Sequence, residues 1–150
     1  MKSNITGNAS TIIEAPIEKV WEALITPEMI KQYFFGTNTI TDWKVGSPIV
    51  FSGEWQGKHY EDKGTILEIT PGKKLKYSYW SSMSGIEDKP ENYVDVTYEL
   101  TEDATGTKIS IKQENIPDEK MKAHSEENWK MVLDNLKQLL EKHVIPMGFS

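Results

Sequence analysis

Residues 15–27 read APIEKVWEALITP, and two prolines bracket a short amphipathic helix in this stretch. Pro16 falls in the first turn, where its missing N–H would have no intrahelical partner. Ile17, Val20, Trp21 and Leu24 then recur at i, i+3, i+4 and i+7, one apolar stripe. Pro27 stops the helix, because the residue before a proline is pushed out of the α region. Upstream, Ile5 to Glu14 is rich in isoleucine and threonine and predicts a strand. Downstream, Glu28 to Phe35 predicts a further helical turn or two, with Gly36 as a left-handed cap. A strand followed at once by two short helices is an uncommon opening.

The chain then turns to strands. Thr37 to Asp42 is a short candidate, and Gly46-Ser47-Pro48 is a turn between it and the next strand. In Ile49 to Gln56, the residues Ile49, Phe51, Gly53 and Trp55 alternate with Val50, Ser52 and Glu54, a half-buried pattern. Gln56-Gly57 predicts a hairpin turn and Lys58 to Thr70 the returning strand. Gly64, inside that strand, predicts a bulge or a sharp bend. After Pro71-Gly72, Leu75, Tyr77 and Tyr79 share one face of the strand Lys73 to Trp80. Ser81 to Asn92 is a polar loop. Tyr93 to Glu102 places Val94, Val96, Tyr98 and Leu100 on one side, and the last strand places Thr107, Ile109, Ile111 and Gln113 there.

Pro117 breaks the strands and Asp118 caps the longest helix. Trp129, Val132, Leu133, Leu136 and Leu140 form its apolar stripe, and Pro146 and Gly148 end it. Tight turns make the consecutive strands antiparallel. Such a sheet must cover its apolar face, and the terminal helix is long enough to do so. The expected architecture is α+β: a curved antiparallel sheet of about six to seven strands around a long C-terminal helix, with two short helices after the first strand. Residues 1–150 fit one domain, which buries roughly 70% of the surface of the unfolded chain.

Composition narrows the function. The net charge is −6, and all 17 basic residues are lysine. Without arginine the chain has no bidentate fork for phosphate or guanine, and an acidic chain is a poor nucleic-acid binder. The absence of cysteine removes disulfides, thiol nucleophiles and cysteine metal sites. The N-terminus lacks the apolar run of a signal peptide or membrane span, so the expected location is cytoplasmic. The sequons Asn4-Ile5-Thr6 and Asn8-Ala9-Ser10 are then without consequence.

The order of elements and several motifs together resemble the START-like superfamily (SRPBCC, helix-grip or Bet v-like proteins). The nearer match is its AHSA branch, the homologues of the activator of heat-shock-protein ATPase. The residues that carry the resemblance are Ala15-Pro16, Val20-Trp21, Leu24 and Thr26-Pro27, then Trp43 to Gly46 with Phe51. Gly64 to Ile69, Pro71, Leu75 to Trp80 and Gly106-Thr107 extend it, and Trp129, Leu133, Leu136 and Leu140 complete it. Gln113 stands where many relatives carry a histidine, and Asn128 where they carry a glycine. The resemblance is to the single domain, whereas the eukaryotic activators carry an additional N-terminal domain beside it.

The resemblance implies a hydrophobic cavity between sheet and terminal helix. The residues support one independently. Below Trp129 the helix stripe is bulky and aliphatic, whereas above it the same face carries Met121, Ser125 and Asn128, with Val132 just beyond. Phe51, Trp55, Tyr77, Tyr79, Tyr98 and Gln113 lie on the strands opposite, and aromatic walls with a few polar tips suit a small apolar or aromatic molecule. Tyr77, Tyr79 and Tyr98 serve a pocket or a filled core equally well, while Trp21 and Trp129 read as core. His59, Glu61 and Asp62 form the one cluster that invites a metal or acid–base reading. In a strand His59 and Glu61 share a face, but no third ligand is near in sequence, and the plainer reading is a solvated polar face. His124 and His143 lie on the distant helix. Glu54, Asp95 and Glu99 alternate away from the inward residues, so no carboxylate is expected inside.

No serine–histidine–aspartate set, phosphate loop or HExxH motif occurs, and no cofactor or metal is implied. The leading expectation is a small-molecule-binding protein, monomeric or homodimeric. The alternatives are a co-chaperone-like module that stimulates a heat-shock ATPase, and a START-like cyclase, dehydratase or hydrolase using Gln113, His59 and the pocket tyrosines.

Overall fold

A computed structural model describes residues 4–82 and 85–144, without the side chains of Trp55 and of residues 142–144. The chain opens with β1 (Thr6–Ile13), α1 (Ile17–Ile25), α2 (Pro27–Tyr33) and β2 (Asn38–Ile40). It continues through β3 (Pro48–Trp55), β4 (Lys58–Thr70), β5 (Lys74–Tyr79), β6 (Val94–Asp103) and β7 (Gly106–Glu114) to α3 (Glu119–Val144). The strands form one seven-stranded antiparallel sheet in the order β1-β7-β6-β5-β4-β3-β2. Its curved inner face grips α3, as the helix-grip resemblance implies. The expected stop at Pro146 and Gly148 lies outside the described residues.

Period-two burial runs as the sequence predicts. Leu75 and Tyr77 on β5, Val94, Val96, Tyr98 and Leu100 on β6, and Thr107, Ile109 and Ile111 on β7 all point inward and are buried. The stripe of Trp129, Val132, Leu133, Leu136 and Leu140 on α3 meets them. Asp118 caps α3 by accepting the Met121 amide at 2.8 Å. The α1 stripe is scaffold: Val20 and Leu24 are buried, and Ile17 and Trp21 pack half-buried against the core. Tyr33 ties the two short helices together, its hydroxyl donating to the Ala23 carbonyl at 2.9 Å. At the end of α2 both Phe35 (φ 54°) and Gly36 (φ 75°) are left-handed, so the cap spans one residue more than Gly36 alone.

Gln56 and Gly57 both have positive φ, 51° and 78°, the twist that joins β3 to β4 through two residues. Gly64 is not the bulge. Its neighbours keep a constant register with β5, and the extra residue is Leu67, where the pairing slips between Ile66 and Glu68. Gly64 is instead a close approach: a Cβ there would lie 1.6 Å from the Ser78 carbonyl oxygen. Inward alternation on β4 therefore runs Tyr60, Asp62, Gly64, Ile66.

Charged residues of α3 that read as solvated surface hold the exposed edge of β1. Glu126 accepts the Asn8 amide at 2.9 Å, Glu141 accepts the Glu14 amide at 3.0 Å, and Lys137 donates to the Ile12 carbonyl at 2.8 Å. These bonds satisfy backbone groups that an unprotected edge would offer to another chain. Lys137, 2.6 Å from Glu141, also holds that carboxyl below its usual range.

Candidate functional site

The first half of α3 leaves the sheet partly uncovered. Between them lies a cleft of about 550 Å³, within the range of small-molecule sites. Ser125, Asn128, Trp129 and Val132 supply its helix side, and Phe51, Tyr60, Asp62, Tyr77, Tyr79, Val96 and Gln113 its sheet side. Phe34, Phe35, Thr37, Glu54, His124 and Met131 surround them.

An aromatic cluster forms the wall. Phe51 stands 6.3 Å from Phe34 in a stacked arrangement, 5.5 Å from Tyr77 and 5.7 Å from Tyr79. Trp129 meets Phe34 and Tyr98 edge-on at 5.7 and 5.8 Å. Trp129 also orients a polar group. Its indole N–H, which can only donate, reaches Gln113 Oε1 at 2.7 Å. That bond fixes which end of the amide faces the indole and leaves the Gln113 NH2 as the group that can donate elsewhere.

Asp62 corrects the expectation that no carboxylate lies inside. It is 6% exposed. Tyr79 Oη donates to one carboxylate oxygen at 2.6 Å, and the Ser82 amide and hydroxyl reach the other at 2.9 and 3.3 Å. The neighbouring inward residue, Tyr60, shares a 2.6 Å hydrogen bond with Thr37 Oγ1. His59 and Glu61 do share a face, as expected, and it is the exposed one. Among the described residues no three His, Asp or Glu side chains gather as a metal would require. Glu54 is exposed, as expected, yet it borders the cleft, and His124 borders it too.

Seven of the ten sequence-derived candidates therefore come together around one space: Phe51, Tyr77, Tyr79, Gln113, Ser125, Asn128 and Val132. Tyr98 stands behind the wall, its hydroxyl 3.1 Å from that of Tyr77, beside a small space of about 10 Å³. Met121 is half-buried outside the lining, and the Trp55 side chain lies outside the described residues. Sequence reasoning missed Tyr60, Phe34 and Thr37, and it read Asp62 as part of a solvated polar cluster with His59 and Glu61, whereas the side chain is buried at the cleft. A count backward in twos from the apolar Ile66 would have found Asp62 and Tyr60.

Four tyrosines report on this interior. Burial, the largest cause, pushes the hydroxyls of Tyr33, Tyr77 and Tyr79 well above the usual tyrosine range, and the Asp62 charge adds to it at Tyr79. Burial likewise raises Tyr98, although its hydrogen bond with Tyr77 partly opposes this. The folded state thus holds protons that the unfolded chain releases near pH 10. Stability from this source is complete below about pH 10 and falls as the pH rises through the window above it, by up to about 1.4 kcal/mol per pH unit for each tyrosine. The expected result is steep alkaline unfolding, with the phenolate absorbance of these four tyrosines appearing together with loss of structure. Four phenolates forming in the folded protein near pH 10 would contradict it.

A larger and more open groove of about 1110 Å³ runs between α1 and the β4–β5 turn, past Ile17, Trp21, Pro71 and Lys73. Glu18, Lys74, Glu99, Glu102 and Lys108 also line it. It has no aromatic cluster and no buried polar group, so the chemistry concentrates in the cleft.

Residues 14–141 match the family model described as activator of Hsp90 ATPase homolog 1-like protein. The chain belongs to this family. Its fold is also that of a protein from Cytophaga hutchinsonii solved in solution, with 49% identity, a TM-score of 0.82, and 96% of this chain and 99% of that chain covered. A crystal structure of a Mesorhizobium loti protein shares 25% identity at a TM-score of 0.78, over 94% and 100% of the two chains. The solution structure of the Aha1 dimer from Colwellia psychrerythraea shares the fold at 20% identity and a TM-score of 0.71, over 91% of this chain and 96% of that one. No curated protein matches the chain. Among the described residues of this family member, no helix is long and apolar enough to cross a membrane.

Proposed function

We propose that the protein binds a small, largely aromatic or apolar molecule in the cleft between the sheet and the first half of α3. The observation that carries this reading is the pairing of an aromatic wall around Phe51 with a helix side made of Ser125 and Asn128. Small polar residues there leave volume that Leu133, Leu136 and Leu140 fill farther along the helix. No arrangement of nucleophile and base accompanies the cleft among the described residues, so the reading is binding rather than catalysis.

A neutral naphthyl probe tests it. Saturable binding is expected, and Ser125→Trp, which places an indole in the cleft from a half-buried helix position, is expected to weaken it by about 10-fold or more. The melting temperature should change little, because tryptophan costs only about 0.7 kcal/mol or less in helix propensity. Absence of saturable binding of this probe and of its charged naphthyl analogues alike would remove the reading.

The family description motivates a second reading, stimulation of a chaperone ATPase. The rate of an Hsp90 ATPase with and without the protein tests it, and an unchanged rate with no detectable complex would remove it.

A further inference from the structure

We infer that the molecule the cleft accepts carries a positive charge, an aromatic or apolar amine whose ammonium group is received by Asp62. This inference rests on the binding reading above and specifies its ligand class. Asp62 is buried and faces the cleft, with hydrogen bonds from Tyr79 and Ser82 but no cation. The salt bridges among the described residues do not include it; the adjacent Lys63 turns outward to Asp88 at 2.7 Å. A carboxylate taken out of water is ordinarily paired with a cation. The three hydrogen bonds it accepts among the described residues occupy only part of its acceptor capacity, which amounts to about four lone-pair sites on the two oxygens.

The rest of the lining points the same way. Among the described residues it contains two carboxylates, Asp62 and Glu54, and no lysine to receive an anionic ligand. Phe51, Tyr60, Tyr77 and Tyr79 line the same cleft as the carboxylate, and the Tyr79 hydroxyl touches it directly. Aromatic rings together with an acidic group are the surroundings that favour an organic ammonium through the ring quadrupoles and a charge-assisted hydrogen bond. The net charge of −6 adds a long-range attraction for the same sign.

Three ligands that share one ring system separate the possibilities: naphthylethylamine, naphthylethanol and naphthylacetate, titrated at neutral pH against the full chain. The amine is expected to bind about 10-fold or more tighter than the alcohol, and the acid more weakly than either. Near 1 M salt, where the Debye length is about 3 Å, the preference should persist, because a contact pair is not screened as surface charge is. Asp62→Asn should reduce the preference to about 3-fold or less while leaving binding of the alcohol in place. Tyr79→Phe removes one donor from the carboxylate without removing its charge, and should retain or enlarge the preference. The Tyr79→Phe result decides the matter should Asp62→Asn fail to fold. Equal binding of amine and alcohol would overturn the charged-ligand inference and leave the binding reading standing. A preference that survives Asp62→Asn, or is lost in Tyr79→Phe, would overturn the role of Asp62. No saturable binding of any of the three would overturn both.

Discussion

Gly64→Ala is expected to destabilise the protein by about 3 kcal/mol or more. A Cβ at this position lies 1.6 Å from the Ser78 carbonyl oxygen and 2.5 Å from its carbon, well inside any van der Waals contact. The obstacle is backbone, so no side-chain rotation relieves it. Relief requires β4 and β5 to separate where Lys63 and Trp80 exchange two backbone hydrogen bonds of 3.0 and 2.8 Å. Overpacking of a buried site costs about 1–3 kcal/mol when side chains can shift, and a clash with backbone belongs at or above the upper end. Since a domain is stable by only about 5–15 kcal/mol, about 3 kcal/mol or more is a large part of the total. Gly53→Ala is the control. Its Cβ would meet Tyr60 Oη at 2.8 Å, the far end of a side chain that can swing at the expense of its bond to Thr37. That loss is about 1 kcal/mol. Urea melts of the two variants should differ clearly in midpoint, and equal midpoints would show that the β4–β5 approach is more yielding than the geometry implies.

Trp129→Ala is expected to cost about 3–5 kcal/mol, as truncation of a large buried aromatic does. Trp129 is 9% exposed and touches Phe34 and Tyr98 edge-on. Its loss joins a new cavity to the cleft and leaves Gln113 Oε1 without its donor. Trp129→Phe separates these effects. The ring contacts largely remain, and the unmet Gln113 oxygen should account for about 1–3 kcal/mol. Denaturant titrations check both values. A Phe variant as unstable as the Ala variant would place the importance of Trp129 in its hydrogen bond rather than its volume. Naphthyl probe binding by the folded Phe variant should persist, since the cleft wall around Phe51 is untouched.

Gly64 and Trp129 also show where the sequence was legible. Gly64 was visible as an exception inside a strand, and Trp129 as the head of an apolar stripe. The reason for the glycine was not visible. A bulge and a close approach leave the same mark in one dimension, and only the pairing of Lys63 with Trp80 and the slip at Leu67 tell them apart. Asp62 is the instructive miss in the candidate site. The stretch Lys58 to Lys63 is almost entirely polar, so hydrophobic alternation gives it no phase. Its phase comes from the strand beside it, where Asp62 pairs with the buried Phe51, and from Ile66 farther along the same strand. Glu126, Lys137 and Glu141 carried no signal either, because a charged residue on a helix reads alike whether it meets water or the amide of an edge strand.

By itself, the sequence determined the order of elements, the inward faces of β5, β6 and β7, the stripe of α3 and the scaffold role of the APIEKVWEALITP segment. Burial of apolar side chains repeats every two residues in strands and every three to four in helices, so the core writes itself into the chain as a period. The tertiary structure alone decided that the cleft beneath Ser125 and Asn128 contains a buried carboxylate, that Trp129 orients Gln113, and that α3 holds the β1 edge. Those features are made by polar groups brought together from distant parts of the chain. Hydrogen-bond partners, unlike hydrophobic burial, leave no periodic trace in sequence.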